Sequence, residues 1–230
     1  MNLIEGIRDF LVIKIELPEL DDPEQQDLLT EAINNPGMFD SQLYMFETAG
    51  ILVNVLFRSK EQQTALLLSV VKALLDDLSV NLQTTTKRTP DVMPIVKVHH
   101  IIMALGNIAK GFPDWPSPVP EGWIGPPLDV FGQVGQAILV CLEAMNVYKV
   151  VRDAVSLSYQ VHLVFKLLFL QTRFAFARII ATTGPNVTHF IPPLMVNLLA
   201  HFEPSELVDF MNFIGLLIHK LQVRTYPRLI

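Results

Sequence analysis

The chain has 230 residues, enough for one large domain, with 50% of them apolar and only 17% charged, against roughly 25% in an average globular domain. Its net charge of −6 excludes a global pull toward nucleic acid, so a polyanion would have to meet a local basic surface. Cys141 is the single cysteine, which excludes an internal disulfide and fits a reducing compartment.

The opening stretch MNLIEGIRDFLVIKIEL carries Glu5, Arg8, Asp9, Lys14 and Glu16, a charge density unlike that of a secretory leader. A first helix is expected over 23–34, with Asp22 as its cap, Pro23 in its first position and Gln25 in its third. A second is expected over 41–57 behind Asp40, and a third over 60–83 with Ser59 and Gln62 as a capping box. The fourth runs over 92–111 and stops at Gly111. Residues 111–128, GFPDWPSPVPEGWIGPPL, then crowd prolines around Trp115 and Trp123. Polyproline II segments or tryptophan anchors would suit a docking loop; the favoured expectation is a crossover pinned by the two indoles to the edge of the fold.

A helix over 129–145 starts near Asp129 and holds Cys141 in an apolar run, where a buried thiol is expected. Helices over 147–183, 187–202 and 205–221 complete the chain. Ile179 to Phe202 contains no Lys, Arg, Asp or Glu, yet Gly184, Pro185, Asn186, Pro192 and Pro193 interrupt it. A membrane span needs about 20 apolar residues with an unbroken backbone ladder, so a turn followed by a helix is expected there, without membrane insertion.

The helices fall into antiparallel pairs: 23–34 with 41–57, 60–83 with 92–111, 129–145 with 147–183, and 187–202 with 205–221. Together they predict an all-α fold, an α-solenoid of HEAT-like helix pairs in a right-handed superhelical array. The pairs recur about every 45 to 55 residues, slightly beyond the usual ~40–47. Neither end looks like a polar cap, which predicts a section of a longer array.

The runs QLYMFETAGIL, ALGNIAKGFPDW and VRDA…TRFAFARIIATTG make the chain similar to the central HEAT repeats of exportin-T, the karyopherin-β receptors for transfer RNA. The likeness covers most of residues 1–222; the tail VRTYPRLI (223–230) departs from it. The resemblance implies a much longer chain, monomeric when intact. It also implies a superhelix that wraps tRNA together with the GTP-bound GTPase Ran, shuttles between nucleus and cytoplasm, and touches nuclear pore proteins on the way. Ran would be held largely by N-terminal repeats, so this stretch alone would bind tRNA weakly or not at all. The second helix of each pair would line the concave surface, where the RNA backbone lies. Shape and phosphates rather than base edges are read in double-stranded RNA. The candidate tRNA contacts are therefore Lys87 and Arg88 in TTTKRTP, Lys97, and the stripe Lys149, Arg152, Arg173. A karyopherin with protein cargo and a non-transport HEAT scaffold are the alternatives.

Residues 155–171 break the pattern. VSLSYQVHL alternates apolar and polar, the beat of a half-buried strand. As one helix 147–183 would run about 55 Å, roughly twice its partner 129–145. Removing 155–171 joins VYKVVRDA to TRFAFARIIATTG, restores one apolar stripe through Ala154, Ala175 and Ile179, and aligns Lys149, Arg152 and Arg173 on the opposite face. Val155-Ser156 can be encoded as GTA-AGT and Leu170-Gln171 as TTA-CAG, the usual ends of an intron. The segment is therefore read as an in-frame retained intron; the alternative is a genuine apolar insertion, such as a helical hairpin.

No catalytic signature is present: the chain lacks GxSxG, HExxH, a Walker loop and GxGxxG, so neither an enzyme nor a cofactor is expected. His99 and His100 are adjacent, about 100° apart on a helix, which is poor geometry for one metal ion, and no metal site is expected. NVT at 186–188 matches a glycosylation acceptor by chance.

Overall fold

The computed structural model describes residues 8–19, 37–57, 59–85, 92–153, 159–200, 202 and 204–222, with 6, 28, 31 and 32 as isolated positions; for 8, 85, 92, 147–153, 159–168, 205 and 222 the backbone alone is described. Most of the helix expected over 23–34 and all of the tail 223–230 lie outside these residues.

The first described helix, α1 (Met38–Val55), begins behind Gly37, whose φ of 56° is one that glycine adopts freely. It starts before the expected 41–57. Asp40 sits inside its first turn, where a carboxylate complements the helix dipole, instead of capping it. Helix α2 (Lys60–Thr85) is capped as its sequence predicts, with the Gln62 N–H donating to Ser59 Oγ at 3.3 Å. Helix α3 (Val92–Lys110) tolerates Pro94 in its first turn, where a missing N–H costs nothing.

Helices α4 (Leu128–Asp153) and α5 (Tyr159–Thr183) correct the expected boundary. The chain does not break at Asn146; α4 runs through it. An asparagine favours turns because its side chain competes with the backbone, but here its Nδ2 is taken by the next pair, donating to Asn197 O and Oδ1, both at 3.0 Å. The long helix 147–183 is therefore two, and the pair has matched lengths of 26 and 25 residues. Residues 154–158 lie outside the described residues. Beyond it, a 3₁₀ turn (Gly184–Phe190) leads into α6 (Ile191–Leu199), with Pro192 and Pro193 in its first turn. Another short 3₁₀ turn (Pro204–Glu206) precedes α7 (Leu207–Gln222). No strand occurs among the described residues.

The helices stack in two rows. Helices α1, α3, α5 and α7 form the first, each packed on the next, while α2, α4 and α6 form the second, with α2 on α3 and α4 on α5 joining them. This is an all-α solenoid of helix pairs, in which each pair is covered only by its neighbours. Phe39, Phe46, Ile101, Leu105, Ile138 and Phe176 are fully buried along the seam. Leu128–Asn146 is long and apolar enough to cross a membrane, but half of it is buried inside the stack.

Glycines set the spacing of the first row. A Cβ on Gly50 would lie 2.1 Å from the Ile108 carbonyl oxygen, and one on Gly111 2.4 Å from that of Glu47. Helix α1 and the end of α3 thus cross backbone to backbone, which is what the glycine of FETAG supplies. Gly106 does the same between α3 and α5, with Phe174 at 2.8 Å and the Ala175 backbone at 3.1 Å from its would-be Cβ. The junctions are also sealed by hydrogen bonds. Thr182 Oγ1 donates to the Ala109 carbonyl at 3.0 Å, and the Trp115 N–H to the Ala181 carbonyl at 2.7 Å, satisfying carbonyls near helix ends that have few partners of their own.

Candidate functional site

Lys97 lies on α3, in the first row as expected of a second helix, with its Nζ 3.1 Å from Asp77 on α2. Half-exposed and paired, it is a cation whose charge is already answered.

Arg173 is a correction. It is buried on α5, with a side chain only 6% exposed, against Glu206 at 3.6 Å, itself 9% exposed. A guanidinium enclosed between α5 and the turn leading to α7 holds two repeats together and does not face an RNA backbone. The charged stripe is an expectation for the chain without 155–171. Lys149 and Arg152 fall on α4, in the second row, whereas Arg173 falls on α5, in the first. The side chains of Lys149 and Arg152, and all of Lys87 and Arg88, lie outside the described residues.

The structure brings together basic residues that the sequence reading passed over. Lys110, the last residue of α3, pairs with Glu47 on α1 at 2.7 Å. Asp114, just beyond α3, takes Lys220 of α7 on Oδ2 and Arg178 of α5 on Oδ1, the latter at 3.5 Å. Lys110 and Lys220 sit in the last turns of their helices, where a positive charge complements the dipole, and Arg178 lies further inside α5. That placement is visible in the sequence once the helix ends are marked.

The loop 111–127 is a pinned crossover. Trp115 and Trp123 meet edge to face, with centroids 4.8 Å apart, and Trp115 is fixed to α5 through its backbone N–H. His99 and His100 converge more closely than adjacency suggests: their Nδ1 atoms are 3.1 Å apart, so one ring donates to the other. His100 also stacks on Phe39, with centroids 3.8 Å apart. Burial pushes His99 down to about 4, and burial with its neighbour's charge pushes His100 down to about 3, so both are neutral at pH 7. No group of metal-binding residues occurs among the described residues. Cys141 is buried, and desolvation raises its thiol to about 12, which makes it unreactive.

The Exportin-T family model matches residues 1–229. The chain is 64% identical over 221 residues to the Exportin-T of Laccaria bicolor, covering 96% of this chain and 19% of that protein. It is 56% identical over 223 residues to the Exportin-T of Coprinopsis cinerea, with the same coverage of 96% and 19%. Against the Exportin-T of Mycosarcoma maydis it is 36% identical over 223 residues, covering 95% and 18%. The chain thus spans about a fifth of the length of these relatives (19%, 19% and 18%). The resemblance carried by FETAG and its companion runs holds over nearly the whole sequence, and the chain belongs to the Exportin-T family.

Proposed function

We propose that this chain is a section of a nuclear export receptor that binds tRNA together with Ran-GTP and carries it from nucleus to cytoplasm, touching nuclear pore proteins in transit. The observation that carries the reading is membership of the Exportin-T family. Its role is that of a scaffold. Cargo and Ran-GTP favour the same curved state of the solenoid, so each strengthens the other by reciprocal linkage. Hydrolysis of GTP, which releases both, belongs to Ran.

Two structural features support this use of the fold. First-row helices approach backbone to backbone at Gly50, Gly106 and Gly111, and a stack bends toward its more closely spaced row. Helices α1, α3, α5 and α7 then form the concave side, along which a phosphate backbone runs. The end helices also keep apolar stripes uncovered, Tyr44, Ile51 and Val55 on α1 and Val208, Met211 and Ile218 on α7, faces suited to further helix pairs.

Filter binding of tRNA by the intact protein, with and without Ran-GTP, tests the reading. Retention that strengthens by about tenfold with Ran-GTP, within the usual range of coupling, is expected. Ran-GTP binding with no effect on tRNA would favour a karyopherin with protein cargo.

A further inference from the structure

We infer that Arg178 and Lys220 form a phosphate-binding pair for the RNA backbone, with the Asp114 carboxylate as an internal competitor for the same two cations; this rests on the tRNA reading above. Among the described ion pairs, Lys97 with Asp77 and Lys110 with Glu47 are matched one to one. At Asp114 one acid is shared by two cations, which leaves a local excess of positive charge in a chain of net charge −6.

The geometry suits a phosphodiester. Arg178 Nη2 meets Oδ1 and Lys220 Nζ meets Oδ2, so the two cations already address two oxygens of a single monoanion. The non-bridging oxygens of a phosphate carry the same charge on a similar fork. The cations come from α5 and α7, successive helices of the row assigned to the concave side, and helices hold them more rigidly than a loop would. All three side chains remain reachable, with exposures of 27% for Arg178, 30% for Lys220 and 45% for Asp114. Ion pairs this exposed are weak, so exchanging the carboxylate for a phosphate costs little. The Asp114 side chain can swing aside without freeing its loop, because the next residue is held by the Trp115 N–H on the Ala181 carbonyl at 2.7 Å.

The test measures tRNA binding by the intact protein with Ran-GTP, over a range of salt, for Asp114→Asn, Arg178→Gln and Lys220→Gln. Removing the competitor is expected to tighten binding by about threefold to tenfold, and removing either cation to weaken it by a similar factor. The double cation variant should flatten the slope of log K against log salt by about 1. Melting curves identify any variant that misfolds; Lys220→Gln, at a half-exposed site, carries the test if Arg178→Gln does. Weaker binding by Asp114→Asn would show that the carboxylate only straps the repeats together, and would overturn the inference, as would three variants indistinguishable from wild type. Changes confined to Ran-GTP affinity would assign the cations to a protein partner and overturn it as well. If the wild-type protein retains no tRNA, the tRNA reading falls, and inorganic polyphosphate becomes the probe. The same opposed signs would then uphold the phosphate pair, and their absence would overturn it.

Discussion

Helices α3 and α7 are built alike, yet they end in different surroundings. Helix α3 is packed between α1 and α5, and Val98, Ile101, Ile102, Leu105 and Ile108 are all enclosed. Helix α7 is packed on α5 alone within its row, and its far face leaves Val208 71% exposed, with Met211 and Ile218 on the same stripe. Apolar content is therefore no guide to how much of a helix is buried in a stacked array; the number of neighbours decides. The same contrast separates the glycines. Those inside the first row touch another backbone, whereas Gly215 on α7 and Gly132 on α4 face open space.

The contrast can be broken experimentally, starting where the expected effect is largest. Glu206→Ala leaves the buried Arg173 guanidinium without its partner, a loss expected to cost about 3–5 kcal/mol, read as a lower urea midpoint. A change near zero would mean that the pair is solvated. Gly50→Ala forces α1 and α3 apart and should cost about 3 kcal/mol, the upper range for overpacking a tight interface; unchanged unfolding would deny the backbone crossing.

Acid should act on the interior before the ends. His99 and His100 have folded-state values of about 4 and about 3, well below the ordinary 6.5. The unfolded chain therefore binds more protons below pH 6.5, so stability is flat above that pH and declines as pH falls toward 4. The expected slope is about 1.4 kcal/mol per pH unit for each histidine, followed as the urea midpoint from pH 7 to pH 5. His100→Phe should flatten the decline, and an unaltered slope in that variant would place its origin elsewhere. The smallest effect has the opposite sign. Gly215→Ala meets nothing within 4 Å and should stabilise by about 0.5–1 kcal/mol, the helix preference for alanine over glycine.

Much of this was legible in the residues. Helical periodicity gave the pairs, and Ser59 announced the start of α2 by the hydrogen bond it makes. Boundaries went astray where tertiary contacts overrule local preference, as at Asn146, which looks like a break until Asn197 is opposite it. The site was harder. Arg173 reads as one more cation in the sequence, and only the approach of Glu206 shows that it is enclosed. Asp114, Arg178 and Lys220 are far apart along the chain and meet because two helix ends and a pinned loop share one edge. For 155–171 the length mismatch that prompted the intron reading is removed by the break between α4 and α5. The coding question stands apart from the fold: spliced message lacking codons 155–171 as the major form is the outcome that reading predicts, and message retaining them would establish a genuine insertion.

The central claim is that α1 and α7 are ends of this section only, and that further helix pairs cover them in the intact protein. Amide hydrogen exchange, compared between this 230-residue chain and the intact protein, addresses it directly. The account predicts that α7 and α1 gain strong protection in the intact protein while α3 changes little. Equal protection of α7 in both would contradict it.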